Sequence, residues 1–199
     1  MLPPTSCMPR LRNAAATRQA MLASARRHFA RESYESVGLR EIAGEAGVDP
    51  ALVSRYFGSK EQLFREALRG EDSLSLDGVA RDALPAYLAS LFIDHGSKNA
   101  DQTATKVDCL LMMLRSASSP KASEIVREAL SEDVLEPMAG LLAGDDAPVR
   151  ASLSLAVLMG CGILRSTMAI DPLCQANESR LRDRLTALFA AALAEAPNG

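Results

Sequence analysis

Along most of the chain apolar residues recur at every third or fourth position, strand-like alternation is absent, and Ala, Leu, Arg and Glu dominate. This pattern predicts an all-α protein. A first helix is expected over residues 17–31, where Met21, Leu22, Ala25 and Phe29 form an apolar stripe and Arg18, Arg26 and Arg27 lie on the other face. Leu39, Ile42, Ala43 and Ala46 share one side of a short second helix over 39–46. Gly47 can take the left-handed conformation that ends a helix, with Val48 packing back behind it. Asp49-Pro50 then supplies an N-cap acceptor and a residue whose fixed φ suits a first helical turn, so a third helix starts at Pro50. With successive residues rotating by about 100°, Val53 and Phe57 turn inward while Ala51, Leu52, Ser54 and Arg55 point outward. Ser59-Lys60-Glu61-Gln62 fits a capping box, with Ser59 taking the Gln62 N–H and Gln62 reaching back. It opens a fourth helix striped by Leu63, Phe64 and Leu68.

Beyond Gly70, residues 73–78 read as a joint. Helices are expected over 85–95, 103–116, 120–143 with a break at Pro137, 148–168 and 177–194. The polar stretch 95–102, which contains Gly and Asn, reads as a loop.

Charge divides the chain at the same place. Residues 1–70 hold 11 Lys/Arg and 7 Asp/Glu, a net +4, whereas residues 71–199 hold 11 and 18, a net −7. A basic segment attached to an acidic, apolar remainder suits a polyanion-binding module on a separate body. Of the 199 residues 48% are hydrophobic, enough for one sizeable core or two small ones. The longest uncharged apolar run, 151–164, has 14 residues, short of the roughly 20 that a bilayer requires. Pro3, Pro4, Arg10 and Arg12 interrupt any export signal. No membrane partner and a cytoplasmic location are therefore expected. Cys7, Cys109, Cys161 and Cys174 have no C-x-x-C spacing, so no disulfide staple, metal or other cofactor is expected. His28 and His95, the latter distant in sequence from every cysteine, speak against a cysteine-dependent enzyme, as does the lack of a Gly-rich phosphate loop. A thiol redox sensor using Cys109, Cys161 and Cys174 is the other alternative, although buried apolar thiols are the default.

Two short helices joined by a Gly-containing turn over an inward apolar seam make a helix-turn-helix. Ala51 and Ser54 let the third helix approach a major-groove floor, Arg55 can donate two bonds to guanine, and Leu52 can touch a thymine methyl. Lys60, a cation in the first turn of a helix, opposes the macrodipole unless a phosphate lies nearby; free N–H groups would join it there, and Tyr56 could donate to another phosphate.

Leu39-Arg40-Glu41-Ile42-Ala43-Gly44-Glu45-Ala46-Gly47-Val48 and Arg55-Tyr56-Phe57-Gly58-Ser59-Lys60-Glu61-Gln62-Leu63-Phe64 resemble the TetR family of bacterial repressors, over about residues 14–70. The resemblance implies a homodimeric regulator with an N-terminal three-helix helix-turn-helix domain (14–72) after a flexible segment (1–13), and a C-terminal helical domain (73–199) that binds a ligand and dimerises. DNA contacts are carried over to Arg40, Ala51, Leu52, Ser54, Arg55, Tyr56 and Lys60. Gly38 stands where the family usually has a hydroxyl N-cap that also touches phosphate, and Asp49 where Ser is frequent. Both permit capping, Gly costing only a few tenths of a kcal/mol relative to Ser.

Leu181, Leu185 and Leu188 form a seam on the last expected helix, and Leu153, Val157, Gly160 and Leu164 mark the helix before it, apolar nearly all round with Gly160-Cys161-Gly162 inside. A helix apolar on every side must be buried twice, and glycines within it suit a close helix approach, so both read as a four-helix dimer interface. Tyr87, Leu91, Phe92, Met112, Met113, Met138 and Met168 are the candidates for an apolar or aromatic effector. Asp108 and Arg115, seven residues apart on one expected helix, are candidate polar anchors. The function expected is a repressor that binds a palindromic operator in double-stranded DNA as a dimer and is released by a small molecule.

Overall fold

The computed structural model describes residues 8–69, 75–94 and 100–195, which are helices joined by turns, with no strand among them. The chain divides into two compact units, one of residues 1–70 and 111–126, the other of 71–110 and 127–199.

In the first unit α1 runs Met8–Arg31, α2 Leu39–Glu45, α3 Pro50–Phe57 and α4 Lys60–Arg69. The start of α1 at Met8 makes residues 8–13 helical rather than a flexible lead. Its stripe is sealed, with Met21 and Ala25 at 0% exposure and Phe29 at 1%. Ile42, Val53, Phe57, Leu63 and Phe64 close over that stripe. Phe64 meets Phe29 edge-on at 4.8 Å between ring centroids and Tyr34 at 5.1 Å, the geometry aromatic quadrupoles favour. The expected outer face of α1 is not free. Arg26 is buried and donates from Nε to the Ala67 carbonyl at 3.0 Å. Arg18 pairs with Glu66 and lies 5.1 Å over the Phe57 ring. Arg27 pairs with Glu45 at 2.8 Å.

This unit extends beyond the expected 14–72. It takes in residues 111–126, the end of α6 (Ala100–Ser116) and the start of α7 (Pro120–Leu130). Met112 and Ala122 are fully enclosed in its core and Ile125 nearly so. Ser119 caps α7, its hydroxyl accepting the Ala122 N–H at 3.1 Å.

The second unit contains α5 (Leu84–Asp94), the first part of α6, the end of α7, α8 (Glu136–Gly140), α9 (Ala147–Gly162), α10 (Asp171–Cys174) and α11 (Glu178–Leu193). Helix α6 begins at Ala100, so the last residues of the expected 95–102 loop are helical; His95 lies outside the described residues. A wide π turn over Ser131–Leu135 leads into α8 ahead of Pro137. Proline lacks the N–H that the α register needs, and its ring crowds the carbonyl four residues back; a wider turn accommodates both. The core gathers Leu84, Leu88, Phe92 and Ile93 of α5 with Met138, Ala151 and the Leu181, Leu185, Phe189 and Leu193 row of α11. Arg150 is buried among them. Its Nη1 donates to the Leu193 carbonyl at 2.7 Å, its Nη2 to that of Ala143, and its Nε to the Asp146 carboxylate at 2.9 Å.

With the π turn after it, α9 forms a continuous helical stretch, Ala147–Thr167, long and apolar enough to cross a membrane by length and composition, although only 22% of its apolar window is buried within the protein. Its buried side holds Ala147, Arg150, Ala151 and Ser154, the packing of a bundle helix with one apolar face left open.

Candidate nucleic-acid interface

The presentation of α3 is built from short-range contacts. Glycine at 38 has no side chain to cap α2, so only the reciprocal half of the box forms, with the Glu41 carboxylate accepting the Gly38 N–H at 2.9 Å. At the other end Gly47 adopts φ +66°. Val48 N–H reaches the Ala43 carbonyl at 2.9 Å and Gly47 N–H that of Gly44 at 3.2 Å, the paired bonds of a Schellman motif. Asp49 accepts the Ala51 N–H at 2.8 Å and starts α3 at Pro50. Gly58, at φ +74°, turns the chain again, and Ser59 accepts the Gln62 N–H at 3.2 Å. It is Glu61 whose carboxylate turns back, held below the usual carboxylate range by its own backbone N–H and by the Ser59 hydroxyl.

Val53 and Phe57 are buried and anchor α3 from behind, while Ala51, Ser54 and Arg55 are exposed. Leu52 is half-buried rather than fully exposed, and lies outside the core cluster. Arg55 has no ion-pair partner among the described residues. Arg40 is exposed on α2. Tyr56 is half-buried against the core, its ring 6.4 Å from that of Phe57. Lys60 is folded back: Nζ lies 4.7 Å over the Tyr34 ring and donates to the Glu35 carbonyl at 3.4 Å. Burial pushes its ammonium down from the ordinary lysine value, against the pull of the Glu35, Glu61 and Glu41 carboxylates. Burial, with Glu61 and Glu35 nearby, pushes the Tyr34 phenol up to about 12, so the ring stays neutral beneath the cation.

A polar buttress between α1 and α2 was not singled out from the sequence. The Glu45 carboxylate receives Arg27 Nε at 2.8 Å and Ser24 Oγ at 2.9 Å, with His28 Nε2 at 3.0 Å. Ser24 also lies 3.0 Å from the Ile42 carbonyl. Partial burial works against the Glu45 charge, yet these donors hold the group below its ordinary value. A signal existed: Ser24 stands three residues after Met21, on the apolar stripe, where a polar side chain must find a partner.

The regulatory candidates do not gather in one place. Tyr87, Leu91, Phe92 and Met138 belong to the second unit's core, but Met112 belongs to the first unit's core and Met113 to the same unit. Met168 is 62% exposed. Tyr87 donates its hydroxyl to the Ser75 carbonyl. Asp108 and Arg115 fall in different units, and Arg115 Nε donates to the Ala30 carbonyl at 2.8 Å, so it fastens α6 to the end of α1. Of the interface candidates, Leu153, Leu164 and Leu188 are exposed and Val157 and Gly160 half-buried. Leu181 and Leu185 point into the second unit's own core and are withdrawn from that face. The close approach at the glycine pair is internal: a Cβ on Gly162 would come within 3.2 Å of Leu110, whereas Gly160 is open. Cys161 is half-buried and burial pushes its thiol up, away from the thiolate that redox chemistry needs. Cys109 is half-buried, Cys174 exposed, and Cys7 lies outside the described residues.

Residues 21–67 match the family model described as bacterial regulatory proteins, tetR family, and residues 82–193 match the tetracyclin repressor-like C-terminal domain. The HTH-type transcriptional regulator BetI of Rhizobium meliloti is 30% identical over 196 residues, spanning 90% of this chain and 93% of that protein. Among solved structures, NalD, the secondary repressor of the MexAB-OprM multidrug efflux pump in Pseudomonas aeruginosa, aligns with a TM-score of 0.63 at 20% identity, covering 91% of this chain and 97% of that one. A putative transcriptional regulator from Saccharomonospora viridis, in complex with choline, aligns with a TM-score of 0.57 at 20% identity, covering 87% and 95%. At these identities the two structures share the fold with this chain.

Proposed function

This chain belongs to the TetR family of bacterial transcriptional regulators, and we propose that it acts in the cytoplasm as a dimeric repressor. Two copies of α3 would enter successive major grooves of a near-palindromic operator, roughly 34–36 Å apart. The observation that carries this reading is the disposition of α3 itself: Val53 and Phe57 are locked inside while Ala51, Ser54 and Arg55 are offered outward, with no ion-pair partner for the guanidinium among the described residues. In this reading Arg55 reads a base edge, Leu52 contributes its outer half, and Arg40, Tyr56 and Lys60 take backbone phosphates.

The dimer would form on the exposed apolar residues Leu153 of α9, Leu164 of the π turn after it and Leu188 of α11. The effector would be a small apolar or aromatic molecule held by the second unit, where Tyr87, Leu91, Phe92 and Met138 share one core. Such a ligand acts through its differential affinity for two states, a coupling of about 1–3 kcal/mol, enough to vacate an operator. The test is DNA binding by the full-length protein to a duplex enriched from a random-sequence pool. Arg55→Ala is expected to cost about 1–3 kcal/mol and relax preference at one base position, while Lys60→Ala weakens enriched and random duplexes alike. Equal losses on both duplexes for Arg55→Ala would remove it from base reading.

A further inference from the structure

Lys60 does not reach its posture through α4 alone. Its ammonium rests on the Tyr34 ring and on the carbonyl of Glu35, both in the turn between α1 and α2. The side chain of that same Glu35, whose carboxylate also attracts the Lys60 ammonium, accepts a hydrogen bond from the Ser119 hydroxyl. Ser119 is buried, at 1% exposure, and its oxygen simultaneously accepts the Ala122 N–H at the head of α7. Both capacities of one hydroxyl are thereby used, one to start a helix and one to hold the turn. Nearby, Arg115 ties the end of α6 to the Ala30 carbonyl, so the corner between α6 and α7 grips both the end of α1 and the turn after it. Residues 111–126 sit within the first unit, yet the chain continues from them into the second unit in both directions.

We propose that Ser119 and Glu35 are positioning residues for Lys60: the α6–α7 corner fixes the Glu35 turn, and the turn forms the platform that aims the Lys60 ammonium at a backbone phosphate. The ammonium touches only a neutral ring and a single carbonyl at 3.4 Å, with the Glu35, Glu61 and Glu41 carboxylates attracting it without a direct contact, and burial strips it of part of its water. A phosphate oxygen in direct contact is a better partner than either the ring or the carbonyl, so the platform holds the charge in place until a phosphate takes it. When the corner lets go of Glu35, the platform is lost and the phosphate contact with it. The inference rests on the proposed role of Lys60 at DNA.

The experiment reads the number of phosphates neutralised from the slope of log K against log salt, about 0.9 per phosphate contact. It uses the full-length protein and the enriched duplex. Lys60→Ala is expected to reduce the slope by about 0.9 per subunit bound. Ser119→Ala and Glu35→Ala are each expected to reduce it by a similar amount, and neither to reduce it further when combined with Lys60→Ala. Glu35 is exposed, so Glu35→Ala keeps the test open if loss of the α7 cap unfolds Ser119→Ala. A slope reduced by Lys60→Ala but untouched by Glu35→Ala, or additive reductions in the double variant, would overturn the positioning role while leaving Lys60 at the DNA. A slope unmoved by Lys60→Ala would overturn the DNA role of Lys60 itself, and this inference with it. A loss of folding stability without a change of slope, the signature of a merely structural contact, also counts against it.

Discussion

In the N-terminal unit Phe29, Phe57, Phe64, Leu63 and Ile42 are all but sealed, others such as Leu52 and Leu68 are half-buried, and among its described residues Leu114 is the large apolar side chain that stands exposed. In the C-terminal unit Val149, Leu153, Leu164, Met168, Ile170 and Leu188 stand 41–62% exposed. The first unit satisfies its hydrophobic demand internally and turns charge and small polar groups outward, which suits a hydrated, charged partner. The second satisfies only part of that demand, so its open face gains free energy when another apolar surface covers it. Each unit also buries an arginine, and the difference is again in scope. Arg26 makes one described bond to the backbone, whereas Arg150 holds the Ala143 and Leu193 carbonyls and the Asp146 carboxylate.

The largest effect therefore belongs to Arg150. Arg150→Ala orphans two carbonyls at roughly 1–3 kcal/mol each, and is expected to lower stability by about 3 kcal/mol or more in urea unfolding followed by circular dichroism. A loss below about 1 kcal/mol would mean that water replaces the guanidinium and that the second unit does not depend on it.

The open apolar face is the next point of attack. Full burial of a leucine contributes about 1.5–3 kcal/mol, and tenfold in dissociation corresponds to about 1.4 kcal/mol. Leu153→Asp should weaken self-association by tenfold or more in sedimentation velocity while helix content is kept. Leu185→Asp, a change inside the core, should unfold the unit instead. Equal behaviour of the two variants would erase the distinction between the exposed and enclosed leucines.

A smaller effect sits at the edge of the first unit. The Ser119 hydroxyl, with the residue's own backbone N–H, holds the Glu35 carboxyl below its ordinary value of 4.5. A depressed folded-state pKa contributes stability that is present above 4.5 and lost as pH falls through the folded value. Melting temperature measured toward acid pH should therefore fall less steeply for Glu35→Gln than for the parent protein. An identical acid limb would show that Ser119 does not bias the ionisation of Glu35.

The helix-turn-helix was legible because its determinants lie within five residues of one another: Gly47 with Val48 and Ala43, Asp49 with Ala51, Ser59 with Gln62. Its inward and outward faces followed from helical spacing, with Leu52 as the partial exception. Elsewhere local pattern left real ambiguity. Leu188 and Phe189 are adjacent, and either continues the row begun by Leu181 and Leu185; the core took Phe189 and left Leu188 outside. Arg26 stands four residues after Leu22 and so on its stripe, but a lone arginine in sequence reads as a solvated charge.

Caps, turns and the period of apolar positions are settled by neighbours in the chain, because the energies involved act over one or two helical turns. Pairings across long sequence separations are of another kind. The bond from Arg26 to Ala67, that from Arg150 to Leu193, the link from Glu35 to Ser119 and the recruitment of 111–126 into the N-terminal core join residues 41 to 84 positions apart or more. Whether a buried charge finds a carbonyl, or an apolar row finds a neighbour, depends on where distant helices come to rest, and no local periodicity encodes that position.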